Sequence, residues 1–206
     1  MIDSVLTPER ILVAAEEVLR RYGPGKTTVV DVAQALGVSH GSVYRHFASK
    51  AALREAVLRG WLERGFAPLD AIANGKATAP TRLRQWLIAL RDGKRSRALD
   101  DPELFATYAA LAAEAGEVIA EHMAHMLAQL ARIISDGIAS GHFRKLDPAP
   151  TAQAIFNATV RFHNPALAHL WALPGEDASF NTLLDLLLHG LAVQTTTRRR
   201  NETAKR

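Results

Sequence analysis

The chain has no cysteine, which rules out disulfides, thiolate metal sites and cysteine redox sensing together. No apolar run approaches the roughly 18 residues that a membrane-spanning helix needs. The first residues, MIDSVLTPER, lack the basic and apolar blocks of a secretory leader. A cytoplasmic protein is expected, with no membrane partner. β-Branched runs are scarce while alanine and leucine are abundant, which argues for helix throughout. Catalytic signatures are missing too: there is no G-x-S-x-G, no H-E-x-x-H, no glycine-rich phosphate loop and no carboxylate pair in an apolar setting. Neither an enzyme nor a cofactor is expected.

What remains is 206 residues, 48% hydrophobic and 22% charged, enough for one large or two small domains with a sizeable core. The formal net charge of +4 is misleading. Residues 198–206, RRRNETAKR, hold five basic groups and one acidic group, so the rest of the chain is neutral overall. A solvated basic tail is expected there, and the high isoelectric point is no argument for nucleic-acid binding.

The informative stretch is residues 27–50, TTVVDVAQALGVSHGSVYRHFASK. Thr27 or Thr28 can cap a helix, with Asp31 in its first turn, and Val32, Ala33 and Leu36 share one face. Gly37 falls where the chain must leave that helix in a left-handed conformation. Ser39 caps the next helix, whose Val43 and Phe47 form a buried side. Gly41, Tyr44 and Arg45 point the other way, with His40 and Ser42 on the flanks. Two short helices at a tight turn, with a small residue at Ala33, make a helix-turn-helix. Between Asp31 and Glu55 there is no acidic residue, whereas Arg45, Lys50 and Arg54 fall inside. A polyanion could lie along such a surface unopposed. Lys50 follows Ser49, the cap of another helix, where a cation is slightly unfavourable unless a phosphate shares the place.

The LGVSHGSVYRHF core and the S-K-x-x-L that opens the following helix resemble the DNA-binding segment of the TetR/AcrR family of bacterial transcriptional regulators. The resemblance covers about residues 8–62; beyond it, only length and helical pattern agree. It implies a homodimer on palindromic double-stranded operator DNA, usually a repressor that lets go when a small molecule binds. By position in the motif, Thr28, Ser39, His40, Gly41, Ser42, Tyr44, His46 and Lys50 correspond to places where members touch DNA. Arg45, from its exposed side of the second helix, is expected to read a base edge or clamp phosphate.

The expected fold is all-α: a three-helix reading head over 1–65 with its motif at about 28–47, an effector and dimerisation bundle over 66–197, and the tail. Thr7-Pro8-Glu9 opens the first helix and Gly23-Pro24-Gly25 ends it. Gly65 and Pro68 are expected to bend or break the helix that starts at Ser49. Loops are expected at 74–80 and in DGKRSRALDDP (92–102). Helices follow over about 81–91, from Asp101-Pro102-Glu103 through Leu104, Phe105, Tyr108 and Leu111, and over about 117–140, 149–163 and 177–195. The last, containing LLDLLLHGLAV, is apolar nearly all round and is expected to pack at a two-fold axis. HMAHM, with His122 and His125, reads as packed or solvated histidines before a metal pair; His163, His169 and His189 read as core-edge residues. Trp86, Phe105, Tyr108, Met126 and Phe156 are the candidates to line an apolar cavity for a small apolar or aromatic effector. The rival is a DNA-architectural dimer with the same head and no cavity.

Overall fold

The computed structural model describes residues 5–193, and the basic tail lies outside that range. Helix α1 (Pro8–Lys26) starts as its sequence demands: Pro8 takes the first position and the Thr7 hydroxyl accepts from Arg10 N at 3.4 Å. Gly23, at φ 73° and ψ 166°, breaks the helical path, but the chain re-forms one further turn to Lys26. The Thr27 hydroxyl closes that turn by donating to the Gly23 carbonyl at 2.8 Å. Helix α2 (Val29–Leu36) carries a reciprocal cap between Thr28 and Asp31 and ends at Gly37, φ 67°. Helix α3 (His40–Tyr44) is capped by Ser39, and its hydrogen-bonding continues through Phe47 N to the Val43 carbonyl at 3.1 Å. Ile11, Ala15, Val32, Ala33, Val43, Leu53 and Leu58 close the small core of this head.

Helix α4 (Lys50–Ala73) runs straight through the expected break, with Pro68 inside it. The neighbouring helix α5 (Ala79–Asp100) packs against it there. Its Arg97 lies over the rings of Trp61 and Phe66, 5.1 Å from each centroid, and its guanidinium donates to the Gly65 carbonyl. The backbone near the proline thereby gains a side-chain donor. The expected loop at 92–102 is likewise helix. Arg91 and Arg95 reach Asp177 at 3.5 and 2.7 Å, and Ser96 bonds Asp100, so this charged stretch is anchored along one side.

Helix α6 (Pro102–Glu114) begins on Asp101, which accepts from Leu104 N at 3.0 Å. Helix α7 (Gly116–Ala139) is stopped by Gly141 at φ 73°. Helix α8 (Pro148–Ala158) is shorter than its pattern suggested, and tight turns over Val160–Phe162 and Pro165–Leu170 follow it. Helix α9 (Glu176–Leu191) buries Phe180, Leu184 and Leu191, and half-buries Leu183, Leu187 and Leu188, against its own chain. The single chain therefore covers most of the leucines expected at a subunit interface. Leu186, 66% exposed, is the large apolar side chain that α9 leaves outside.

The head packs on the bundle through α1 and α4. Arg64 on α4 pairs with Glu16 on α1 at 2.8 Å, and Arg20 on α1 with Asp101 at 3.3 Å. Arg54 and Arg59 on α4 pair with Glu114 (2.9 Å) and Glu121 at the α6–α7 junction and on α7. No described helix is long and apolar enough to cross a membrane.

Candidate DNA interface and effector cavity

The short helix α3 owes its position to one buried valine, Val43, with no exposed surface. That anchor turns the opposite face outward. Ser39, His40, Gly41, Tyr44, Arg45 and His46 are exposed, and Ser42 is half-buried. The face is pre-organised by its own bonds. Ser39 Oγ accepts from Ser42 N at 3.3 Å and lies 3.0 Å from Ser42 Oγ, which in turn accepts from Arg45 Nη2 at 3.2 Å. The rings of His40 and Tyr44 meet edge to face, 6.4 Å between centroids. Thr28 and Lys50 border one small, largely apolar crevice between the starts of α2 and α4. The Thr28 hydroxyl is engaged with Asp31, donating at 2.7 Å. That bond, and the one from Thr28 N, hold the Asp31 carboxyl below the usual carboxylate range, with Lys50 a smaller cause. Arg54 departs from its sequence reading. Its side chain is turned inward to Glu114, so of the three cations in the acid-free stretch Arg45 is exposed, Lys50 is half-buried and Arg54 is paired.

The bundle encloses a cavity of about 530 Å³. Its walls come from α4 (Trp61, Leu62, Phe66), α5 (Lys94), α6 (Phe105, Tyr108, Ala109, Ala112), α7 (Ile119, His122, Met123, Met126) and the α8 region (Phe156, Val160, His163, Asn164). Four of the five residues singled out from sequence, Phe105, Tyr108, Met126 and Phe156, meet here. Trp86 does not: it is fully buried, and its indole donates to Gln129 Oε1 at 2.7 Å, which occupies it in the core. Gln129 passes that bond on to Asp70 at 2.7 Å, and Asp70 also accepts from His125 at 3.0 Å.

Sequence reading missed Trp61, Lys94, His122 and His163. Trp61 stacks on Tyr108 with 4.3 Å between centroids and 14° between planes. The Tyr108 hydroxyl is buried without a hydrogen-bond partner, and burial, then the nearby Glu16, push its pKa up. His122 and His163 are pushed down to about 4, first by burial and next by the Lys94 charge. Both imidazoles are thus neutral at pH 7. Lys94 itself is pushed down to about 8 by burial and by Arg97. The walls are not as free of charge as composition suggested.

Residues 11–57 match the family model described as bacterial regulatory proteins, tetR family, and residues 79–184 match the tetracyclin repressor-like C-terminal domain. The chain belongs to the TetR family. Over 79 residues it is 35% identical to the transcriptional repressor KstR2 of Mycobacterium tuberculosis, an alignment covering 38% of this chain and 40% of that protein. Less than half the length of that relative is spanned. Two solved structures share the fold. A TetR regulator from Haloarcula marismortui has a TM-score of 0.68 at 19% identity, covering 90% of this chain and 98% of its own. FadR from Bacillus subtilis, solved with stearoyl-CoA, has a TM-score of 0.61 at 22% identity, with 90% and 100% covered. The family match places this TetR-family chain among regulators and not among enzymes.

Proposed function

We propose that this TetR-family chain is a ligand-released repressor that binds a palindromic operator as a homodimer. The observation that carries the proposal is the single helix α4. Its first residue, Lys50, belongs to the proposed DNA face, and its Trp61, Leu62 and Phe66 form a wall of the cavity. From 50 to 66 is about 24 Å of unbroken helix at 1.5 Å per residue. A molecule that reshapes the cavity wall must act on the same rod that positions the reading head. An open cavity favours a sensor over an architectural dimer. A tenfold release of DNA requires only about 1.4 kcal/mol of preference for the state with separated heads. The division of labour is a head to about residue 65 and an effector and dimerisation part to about 197. The DNA face consists of Thr28, Ser39, His40, Gly41, Ser42, Tyr44, Arg45, His46 and Lys50. The effector has a largely apolar body, received by Phe105, Tyr108, Met126 and Phe156. The two-fold contact is formed by the outer face of α9 with α8.

Protection mapping with the full chain on the DNA upstream of its own coding sequence tests the head. A two-fold symmetric footprint is expected, lost on addition of a cavity-filling compound. Sedimentation tests the dimer. Leu186→Glu changes a side chain that a monomer leaves in water, so it should dissociate a dimer and do nothing to a monomer. Sedimentation of the wild type as a monomer at micromolar concentration, or a footprint without symmetry, overturns the reading.

A further inference from the structure

We propose that the cavity takes an anionic ligand: an aliphatic or aromatic body bearing one carboxylate, with that carboxylate held by the Lys94 ammonium. The inference rests on the cavity being the effector site, and it adds the charge of the effector and the residue that selects it.

The wall of the cavity is apolar or aromatic over most of its extent, and among the described residues no Asp or Glu lines it. One ammonium faces it. The other cations along α4 and α5 near this site are committed: Arg54 to Glu114, Arg59 to Glu121, Arg64 to Glu16, Arg97 to the Gly65 carbonyl. Lys94 has no carboxylate within ion-pair distance; its nearest compensation is the face of Phe66, 5.6 Å from Nζ to the ring centroid. An ammonium turned toward an apolar cavity with only a ring for company costs free energy. A lysine that merely snorkels would keep its head fully hydrated, whereas burial depresses this one to about 8.

The groups around it complete the case. His122 on α7 has a buried Nε2 with no hydrogen-bond partner, and His163, beyond α8, is 4% exposed. Both sense the Lys94 charge and both are neutral at pH 7. An incoming carboxylate would therefore meet one cation and, with His122 in its Nε2–H tautomer, a second donor, with no anion to repel it. Its apolar body would lie on Phe105, Met126 and Phe156. A charge-assisted bond formed out of bulk water is stronger than a neutral one and selects by charge.

The test uses the full-length protein and matched pairs: octanoate with octanol, laurate with dodecanol, 4-phenylbutyrate with 4-phenylbutanol, each below its aggregation limit. Binding is read by calorimetry and by the fluorescence of Trp61 on the cavity wall. At pH 7 at least one carboxylate should bind about tenfold or more tightly than its alcohol. Lys94→Met should abolish the preference while keeping alcohol affinity, which also shows that the variant is folded. Lys94→Arg should retain it. Raising the pH to 9 should weaken the carboxylate about tenfold as Lys94 loses its proton, and leave the alcohol unchanged. Alcohols that match their carboxylates in the wild type, or a preference that survives Lys94→Met, overturn the anion assignment and leave the cavity standing as the effector site. Binding of neither class overturns the effector cavity as well.

Discussion

Acidification from pH 7 to pH 5 should cost this protein about 3 kcal/mol of stability, because two of its imidazoles refuse protons. His122 and His163 are held at about 4 in the folded chain, by burial first and by Lys94 second; an unfolded histidine titrates near 6.5. A depressed base stabilises the fold fully above the unfolded value, and loses that contribution as pH falls through 6.5 toward 4. At pH 5 the linkage gives about 2 kcal/mol per fully buried imidazole. His163, almost sealed, should approach that figure. His122 borders the cavity and is partly wetted, so about half is reasonable, for a total of about 3 kcal/mol. Urea unfolding at fixed protein concentration, at pH 7 and pH 5, measures the loss directly. The double variant His122→Gln, His163→Gln should flatten the slope between those pH values, whatever it does to stability at pH 7. Parallel pH profiles for wild type and double variant would refute the reasoning.

Two glycines on helices should respond oppositely to alanine. A Cβ on Gly137 would sit 2.1 Å from Phe143 Cδ2, inside a packed ring that is 2% exposed, so overpacking outweighs helix propensity by about 1–2 kcal/mol. On Gly93 the added methyl meets only the tip of Arg97 at 3.6 Å, and a gain of about 0.5–1 kcal/mol is expected. Thermal unfolding should therefore lower the midpoint for Gly137→Ala by about 2–8 °C and raise it for Gly93→Ala; a Gly137→Ala protein as stable as wild type would be inconsistent with the packing. In DNA binding, Lys50→Ala should weaken all sequences alike and reduce the salt slope by about one unit, whereas Arg45→Ala should cost about 1–3 kcal/mol and relax preference at one base. Unchanged affinity and slope in titrations of operator against both variants would remove them from the interface.

The reading head was legible because its signals are local. A cap, a left-handed glycine and a buried valine lie within a few residues of one another, so Gly37, Ser39 and Val43 could be assigned, and the first cap narrowed to Thr27 or Thr28, before any packing was known. The bundle was legible only in part. Helix α7 shows a strong apolar period, and its ends at 116 and 139 fall within one residue of those expected. The charged run from 92 to 100 gave no such period; it is helical because Arg91 and Arg95 reach across to Asp177, some eighty residues away. Missing that helix hid the direction of Lys94, and with it the polarity of the cavity. Trp86 went the other way. Its size suited a cavity wall, but a partner for its indole on Gln129 drew it into the core.

Residue 65 has no side chain, and in that space the guanidinium of Arg97 lies across α4: a Cβ there would stand 2.5 Å from three of its atoms. Two long helices are thereby pinned at their crossing point, like the blades of scissors at the rivet. Lys94 is three residues before Arg97 on one blade, and Lys50 starts the other. On the proposed reading, a ligand held by Lys94 would press on α5 one turn from this rivet, and α4, tied to the bundle again at Arg54 and Arg59, would carry the strain toward Lys50. Filling residue 65 with alanine would loosen the rivet, leaving a cavity that still fills and a head that no longer follows.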